Sequence, residues 1–151
     1  HTISHSPPVP PYTFPMKVLV FDHETFLAEL IKLALEADGN ACFTAGNVPV
    51  ATELLRSIRF DLIVVDLATD EQESLVWLEE AILLHPELHG HAFAFAGGAL
   101  EPDEARRVWI CGARLIQKPF TLHQLRDAVR TMAPVVGKRA DVHARGPAIE
   151  T

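Results

Sequence analysis

Basic residues are in short supply: 13 Lys and Arg face 20 Asp and Glu, leaving a formal net charge of −7. A chain so acidic lacks the basic patch that grips a phosphate backbone, so a nucleic-acid-binding surface is not expected. Cysteine is scarcer still. Cys42 and Cys111 stand far apart, with no Cys-x-x-Cys or His–Cys metal spacing. They read as small buried hydrophobes in a reducing compartment rather than as a disulfide or a zinc site. No apolar run approaches the ~20 residues of a membrane-spanning helix, and no signal-peptide pattern opens the chain. A cytoplasmic protein without membrane contact is the expectation. Also missing are a Gly-rich dinucleotide fingerprint after the first strand, a placeable Ser–His–Asp set and any internal repeat, which leaves little to suggest an enzyme.

What is present is a core. Hydrophobic residues make up 48% of the 151, the right amount and length for one domain with tails. Residues 1–15 form a proline-crowded leader that favours extended conformations, read as a linker. The opening His1, rather than Met, fits a piece cut from a longer chain. Residues 134–151 form a polar tail with Pro and Gly, leaving 16–133 as the domain.

Within that domain short apolar runs alternate with amphipathic segments. Lys17–Phe21 is a continuous, β-branched run, as in a strand buried on both faces. A helix follows from about Glu24, with Leu27, Leu30, Ile31, Ala34 and Leu35 on one face and Gly39 as its left-handed stop. Ala41–Thr44 is a weak second strand, and Pro49–Ile58 a helix with proline in its first turn. Leu62–Asp66 is the clearest strand. A helix from Glu73 to Leu84 halts before Pro86. His91–Ala96 reads as a strand, Pro102–Cys111 as a helix ended by Gly112, and Arg114–Gln117 as a short strand. Thr121 and Gln124 form a capping box for a last helix striped by Leu122, Leu125, Val129 and Met132. Five strands each followed by a helix predict an α/β fold, a doubly wound parallel sheet whose functional pocket lies beyond the carboxyl ends of the strands.

Those ends carry chemistry. The first strand ends in Asp22-His23-Glu24, the third in Asp66, the fourth in Ala96-Gly97-Gly98 and the fifth in Lys118-Pro119-Phe120. Carboxylates converging with a lysine can hold a hard divalent cation and an anion beside it. Any one such residue is as well explained as a solvated loop charge. Four strand ends in the right order are stronger evidence.

The three blocks Val18-Leu-Val-Phe-Asp22-His-Glu24, Phe60-Asp-Leu-Ile-Val-Val-Asp66-Leu67 and Cys111-Gly-Ala-Arg-Leu-Ile-Gln-Lys118-Pro119-Phe120, with their spacing, resemble the receiver domains of bacterial two-component response regulators (the CheY-like, flavodoxin-like superfamily). The resemblance covers residues 17–133. It implies a sheet of order 2-1-3-4-5 with five helices, and a signalling module that at most catalyses its own phosphorylation and dephosphorylation. It implies that Asp66 is the phosphoacceptor, taking a phosphoryl group from a histidine kinase or histidine phosphotransfer protein. Mg²⁺ would be held by Asp66, Asp22 and the backbone carbonyl of Ala68, with His23 or Glu24 as further candidates. Lys118 would bridge a phosphoryl oxygen, alongside Ala68, Ala96 and Gly97 on the phosphate side, and the Lys118–Pro119 bond would be cis. A second copy of the chain is the other partner to consider.

Four positions depart from that family. His23 replaces the second acid of the metal pair, and imidazole is a poorer ligand for Mg²⁺, so metal binding should weaken. Ala96 stands where a Thr or Ser hydroxyl follows the phosphoryl group, and Leu115 where an aromatic residue swings on activation. The stretch Ala68-Thr-Asp70-Glu71-Gln-Glu73-Ser74 is acidic and lacks the usual Pro and Gly. The chemical residues thus survive while the switch positions are degenerate. A pseudo-receiver that binds protein or nucleotide without phosphorylation is the alternative.

Remaining features are weaker. His85, His89 and His91 straddle Pro86 and Gly90 and need not converge on a metal. Gly97-Gly98 is a weak phosphate-turn signal. Trp77 and Trp109 are expected to pack inside helical faces. Arg106 and Arg107 sit on the fourth helix, either as an interaction face or as ordinary solvated charges.

Overall fold

Each apolar run becomes a strand and each amphipathic segment a helix. The computed structural model describes residues 15–67, 73–98 and 100–132. Ala68, Asp70, Glu71, nearly all of the expected leader and the C-terminal tail lie outside these. The strands are β1 (Lys17–Phe21), β2 (Ala41–Ala45), β3 (Leu62–Leu67), β4 (Ala92–Gly97) and β5 (Ala113–Lys118). They pair in parallel in the order β2-β1-β3-β4-β5. The helices are α1 (Thr25–Glu36), α2 (Val48–Ser57), α3 (Glu73–Leu84), α4 (Pro102–Ile110) and α5 (122–132). This is the expected flavodoxin-like architecture.

The strand periodicity of two divides the core between the faces of the sheet. Leu19, Phe21, Ile63 and Val65 point to one side, against buried residues of α2, α3 and α4 such as Leu55, Leu78 and Val108. Val18, Val20, Leu62, Val64, Phe93 and Phe95 point to the other, where Ile31 and Leu35 of α1 and Leu125, Val129 and Met132 of α5 cover them. The central strands are therefore apolar at nearly every position, while the edge strand β5 keeps Arg114, Leu115 and Gln117 exposed.

Local signals set most boundaries. Asn47 caps α2 by accepting the Val50 N–H at 2.9 Å. Thr121 and Gln124 exchange hydrogen bonds of 3.0 and 2.8 Å, the expected capping box of α5. Gly112 has φ +85°, and a Cβ there would lie 2.6 Å from the His89 ring, so only glycine fits this turn between α4 and β5. Two ion pairs tie helices together: Arg107 grips Glu79 across α3 and α4 at 2.6 and 2.9 Å, and Arg126 of α5 grips Asp38 just past α1 at 2.7 and 3.0 Å.

Two expectations need correction. The first helix starts where expected, with Glu24 as its capping residue, but α1 buries Ala28 with Ile31 and Leu35, leaving Leu27, Leu30 and Ala34 half-buried. Beyond the expected helix stop at Pro86, Pro86–Leu88 forms a 3-10 turn that buries Leu88. Trp77 is packed as expected, but Trp109 is 79% exposed, because Val108 takes the single inward position of that stretch. Among the described residues no helix is long and apolar enough to cross a membrane.

Candidate functional site

Parallel pairing brings all five carboxyl strand ends to one rim, and with them the acids and the lysine singled out above. Asp22 follows β1. Its N–H donates to the Ala45 carbonyl at the end of β2 at 3.0 Å, which fixes the backbone there. Its side chain is only 1% exposed. Oδ1 accepts the Glu24 N–H at 2.8 Å, while Oδ2 is buried with no hydrogen-bond partner among the described residues. Burial pushes this carboxyl up from 3.8 to about 6. The Glu24 N–H pulls it back, and the neighbouring Asp66 charge adds to the rise. A lone buried oxygen beside a second carboxylate is a site that favours a proton or a cation.

Asp66 is the fifth residue of β3, and its side chain is 8% exposed. Lys118 closes β5, and its Nζ lies 2.5 Å from Asp66 Oδ1. The lysine reaches it over Gly97, its register partner, where a Cβ would already touch Lys118 Cδ at 3.5 Å. Lys118–Pro119 is cis. Asp22, Asp66, Lys118 and Gly97 therefore meet in one hollow.

The other site residues divide. Glu24 is exposed and makes no side-chain cap; it lines a largely apolar groove of ≈ 530 Å³ together with Leu27, Leu30, Lys118, Phe120 and Leu122. His23 turns both ring nitrogens to other partners, Nδ1 to the Gly46 carbonyl at 3.2 Å and Nε2 to Ser74 Oγ at 3.4 Å. Neither points a free lone pair at the acids. Ala96 is fully buried beside Gly97, and Leu115 is 41% exposed on the α4 side of the edge strand. Ala68, expected to add a carbonyl and an N–H, lies outside the described residues. Ser74 is the residue that sequence reasoning missed. Buried at 1%, it reaches the rim from the first turn of α3, and no local motif announces that contact.

His85 pairs with Glu87 at 3.7 Å, and among the described residues no three His, Cys, Asp or Glu side chains gather as a metal group. Cys42 and Cys111 are free thiols. Burial pushes the former up to about 12 and also raises the latter.

The fold agrees with what the chain is similar to. It is 27% identical over 118 residues to the transcriptional regulatory protein PmrA of Pectobacterium parmentieri, a match covering 78% of this chain and 52% of that protein. The chain thus spans about half the length of the curated relative it matches. A CheY-like response regulator receiver domain of Methanospirillum hungatei superposes with a TM-score of 0.73 at 21% identity, covering 83% of this chain and 99% of that one. NtrX of Brucella abortus superposes with 0.74 at 22% identity, over 87% of this chain and 29% of that one. No protein-family model matches. The chain has the receiver-domain fold of CheY-like response regulators.

Proposed function

We propose that the chain is a receiver domain of a two-component phosphorelay that accepts a phosphoryl group on Asp66 from a phosphohistidine of a kinase or phosphotransfer protein. The observation that carries this reading is the Lys118 ammonium held against a nearly buried Asp66 carboxylate, next to an Asp22 oxygen with no partner among the described residues. In the transfer an Asp66 oxygen bonds to phosphorus as the phosphorus–nitrogen bond breaks and the imidazole leaves. Such a reaction needs positioning and charge neutralisation more than covalent help. Lys118 is placed to shift from the carboxylate to a phosphoryl oxygen, and the thin Gly97 leaves it room. The buried, hard oxygens of Asp22 and Asp66 fit Mg²⁺, with the carbonyl of Ala68 as a third donor. Bound there, Mg²⁺ would offset negative charge on the acids and the phosphoryl group.

The groove beside Lys118 supports a protein donor. Leu27 and Leu30 of α1 face Pro119, Phe120 and Leu122 across it, and Phe26 nearby is exposed, giving an apolar landing surface within reach of the acid pocket. We place the domain in the cytoplasm, acting as a signalling module rather than an enzyme on a separate substrate, with a second copy of the chain as another partner. Beryllofluoride with Mg²⁺ tests the site: amide NMR signals of Asp22, Asp66, Gly97 and Lys118 should shift, and Asp66→Asn should abolish the shift. No response at millimolar Mg²⁺ would refute it.

One observation favours a second reading. Ala96 offers no hydroxyl to follow a phosphoryl group, which supports a chain whose surface does not respond to phosphate. A pseudo-receiver recognising protein or nucleotide would bind its partner equally well after Asp66→Ala. Loss of that binding would reject this alternative.

A further inference from the structure

His23 occupies the place of a metal-binding acid yet points its chemistry elsewhere. A carbonyl only accepts, so the proton must sit on Nδ1, donated to the Gly46 oxygen at 3.2 Å. Nε2 is then left to accept from the Ser74 hydroxyl at 3.4 Å. The ring also stands edge-on to Phe21 at 5.5 Å, and Phe21 in turn meets Trp77 at 5.1 Å. Trp77 Nε1 donates to Thr52 Oγ1 of α2 at 3.1 Å. One imidazole thus joins the loop after β1, the loop after β2 and the first turn of α3.

We propose that His23 is a positioning residue and not a cation ligand: it clasps the start of α3 through Ser74 and Gly46, fixing the frame in which Asp66 reacts. Its influence on phosphoryl capture rests on the function proposed above, whereas the clasp itself does not. Glutamine can imitate the clasp, because its amide carries N–H donors and a carbonyl acceptor. Alanine at 23 cannot, nor can alanine at 74.

The experiment compares His23→Ala, Ser74→Ala and His23→Gln with the wild-type chain. Three readouts are hydrogen exchange at Trp77, Leu78 and Glu79, whose amides bond back to the first turn of α3, Mg²⁺ affinity by calorimetry, and the rate of labelling by acetyl phosphate at saturating Mg²⁺. The expected result is exchange faster by roughly tenfold in both alanine variants. Mg²⁺ affinity should be unchanged in both, labelling should be slowed by about tenfold, and His23→Gln should restore exchange and labelling. Global weakening alone would not slow labelling of the folded fraction, and circular dichroism checks that fraction. The proposal is overturned if His23→Ala weakens Mg²⁺ binding, or if Ser74→Ala leaves α3 exchange at the wild-type rate. Should the wild-type chain take no phosphoryl group, the proposed function fails while exchange and Mg²⁺ affinity still decide for or against the clasp.

Discussion

Lys118 Nζ sits 2.5 Å from Asp66 Oδ1, an ion pair with the carboxylate side 8% exposed and the ammonium side 27% exposed. A pair this enclosed is costly to break from one side, because the remaining charge keeps its desolvation penalty and loses its compensation. Lys118→Met should destabilise the chain by about 2–4 kcal/mol in urea titrations. Adding Asp66→Asn to that variant should recover most of the loss. If the double variant is no better than Lys118→Met alone, the two side chains are not energetically coupled.

Asp22 makes stability depend on pH in a stated direction. Its folded value of about 6 lies above 3.8, so the native state binds the proton more tightly than the unfolded chain. The stabilisation is complete below about pH 4 and is lost as pH rises through about 6, a swing of up to about 3 kcal/mol. Asp22→Asn keeps an acceptor for the Glu24 N–H without the charge. It should be more stable than wild type at pH 7–8, with the advantage shrinking to nothing near pH 4. An equal offset at every pH would contradict the raised value.

The same carboxyl links metal and proton. Mg²⁺ at Asp22 must displace its proton below pH 6, so affinity should fall as pH drops from 7 to 5, with about one proton released per ion. Calorimetry in buffers of different ionisation enthalpy reads that proton directly. Binding with no proton release at pH 5 would place the cation away from Asp22.

Much of this was legible in the sequence because it is local or periodic. Buried runs such as Leu62–Asp66 gave strands, Pro49 and Thr121 marked helix starts, and the order of the strand ends aligned Asp22, Asp66 and Lys118 on one rim. What stayed hidden is tertiary. In α4 the residues Val108, Trp109 and Ile110 are consecutive and apolar, so composition alone could not say which turns inward; only the seat of the helix on the sheet decides. The His23–Ser74 contact spans 51 residues and the Asp38–Arg126 clamp spans 88, and neither belongs to a motif. Pro86 signalled the end of α3 but not the 3-10 turn after it, since a helix stop leaves the next conformation open.

Trp109 supplies a direct check on that correction. At 79% exposure it holds little buried area, so Trp109→Ala should change stability by less than about 0.5 kcal/mol. Val108→Ala, at the buried position next to it, should cost about 1–3 kcal/mol by the same denaturation assay. Reversed costs would mean that α4 is rotated on the sheet.

Ala96 lies in a fully buried place on β4. Ala96→Thr should destabilise the chain by about 1–3 kcal/mol, since the added atoms must be packed and the hydroxyl needs a partner. Beryllofluoride with Mg²⁺ should return part of that stability by giving the hydroxyl an acceptor. Equal thermal shifts in wild type and variant on adding the ligand would place position 96 outside the phosphate side of the site.

The most direct test of Asp66 as phosphoacceptor is incubation with acetyl phosphate and Mg²⁺, reductive trapping of any acyl phosphate with borohydride, and peptide mass spectrometry. The account predicts a single trapped residue, Asp66, with none trapped in Asp66→Asn and slower trapping in Lys118→Met. Trapping at another carboxylate, or none at all in the wild-type chain, would contradict it.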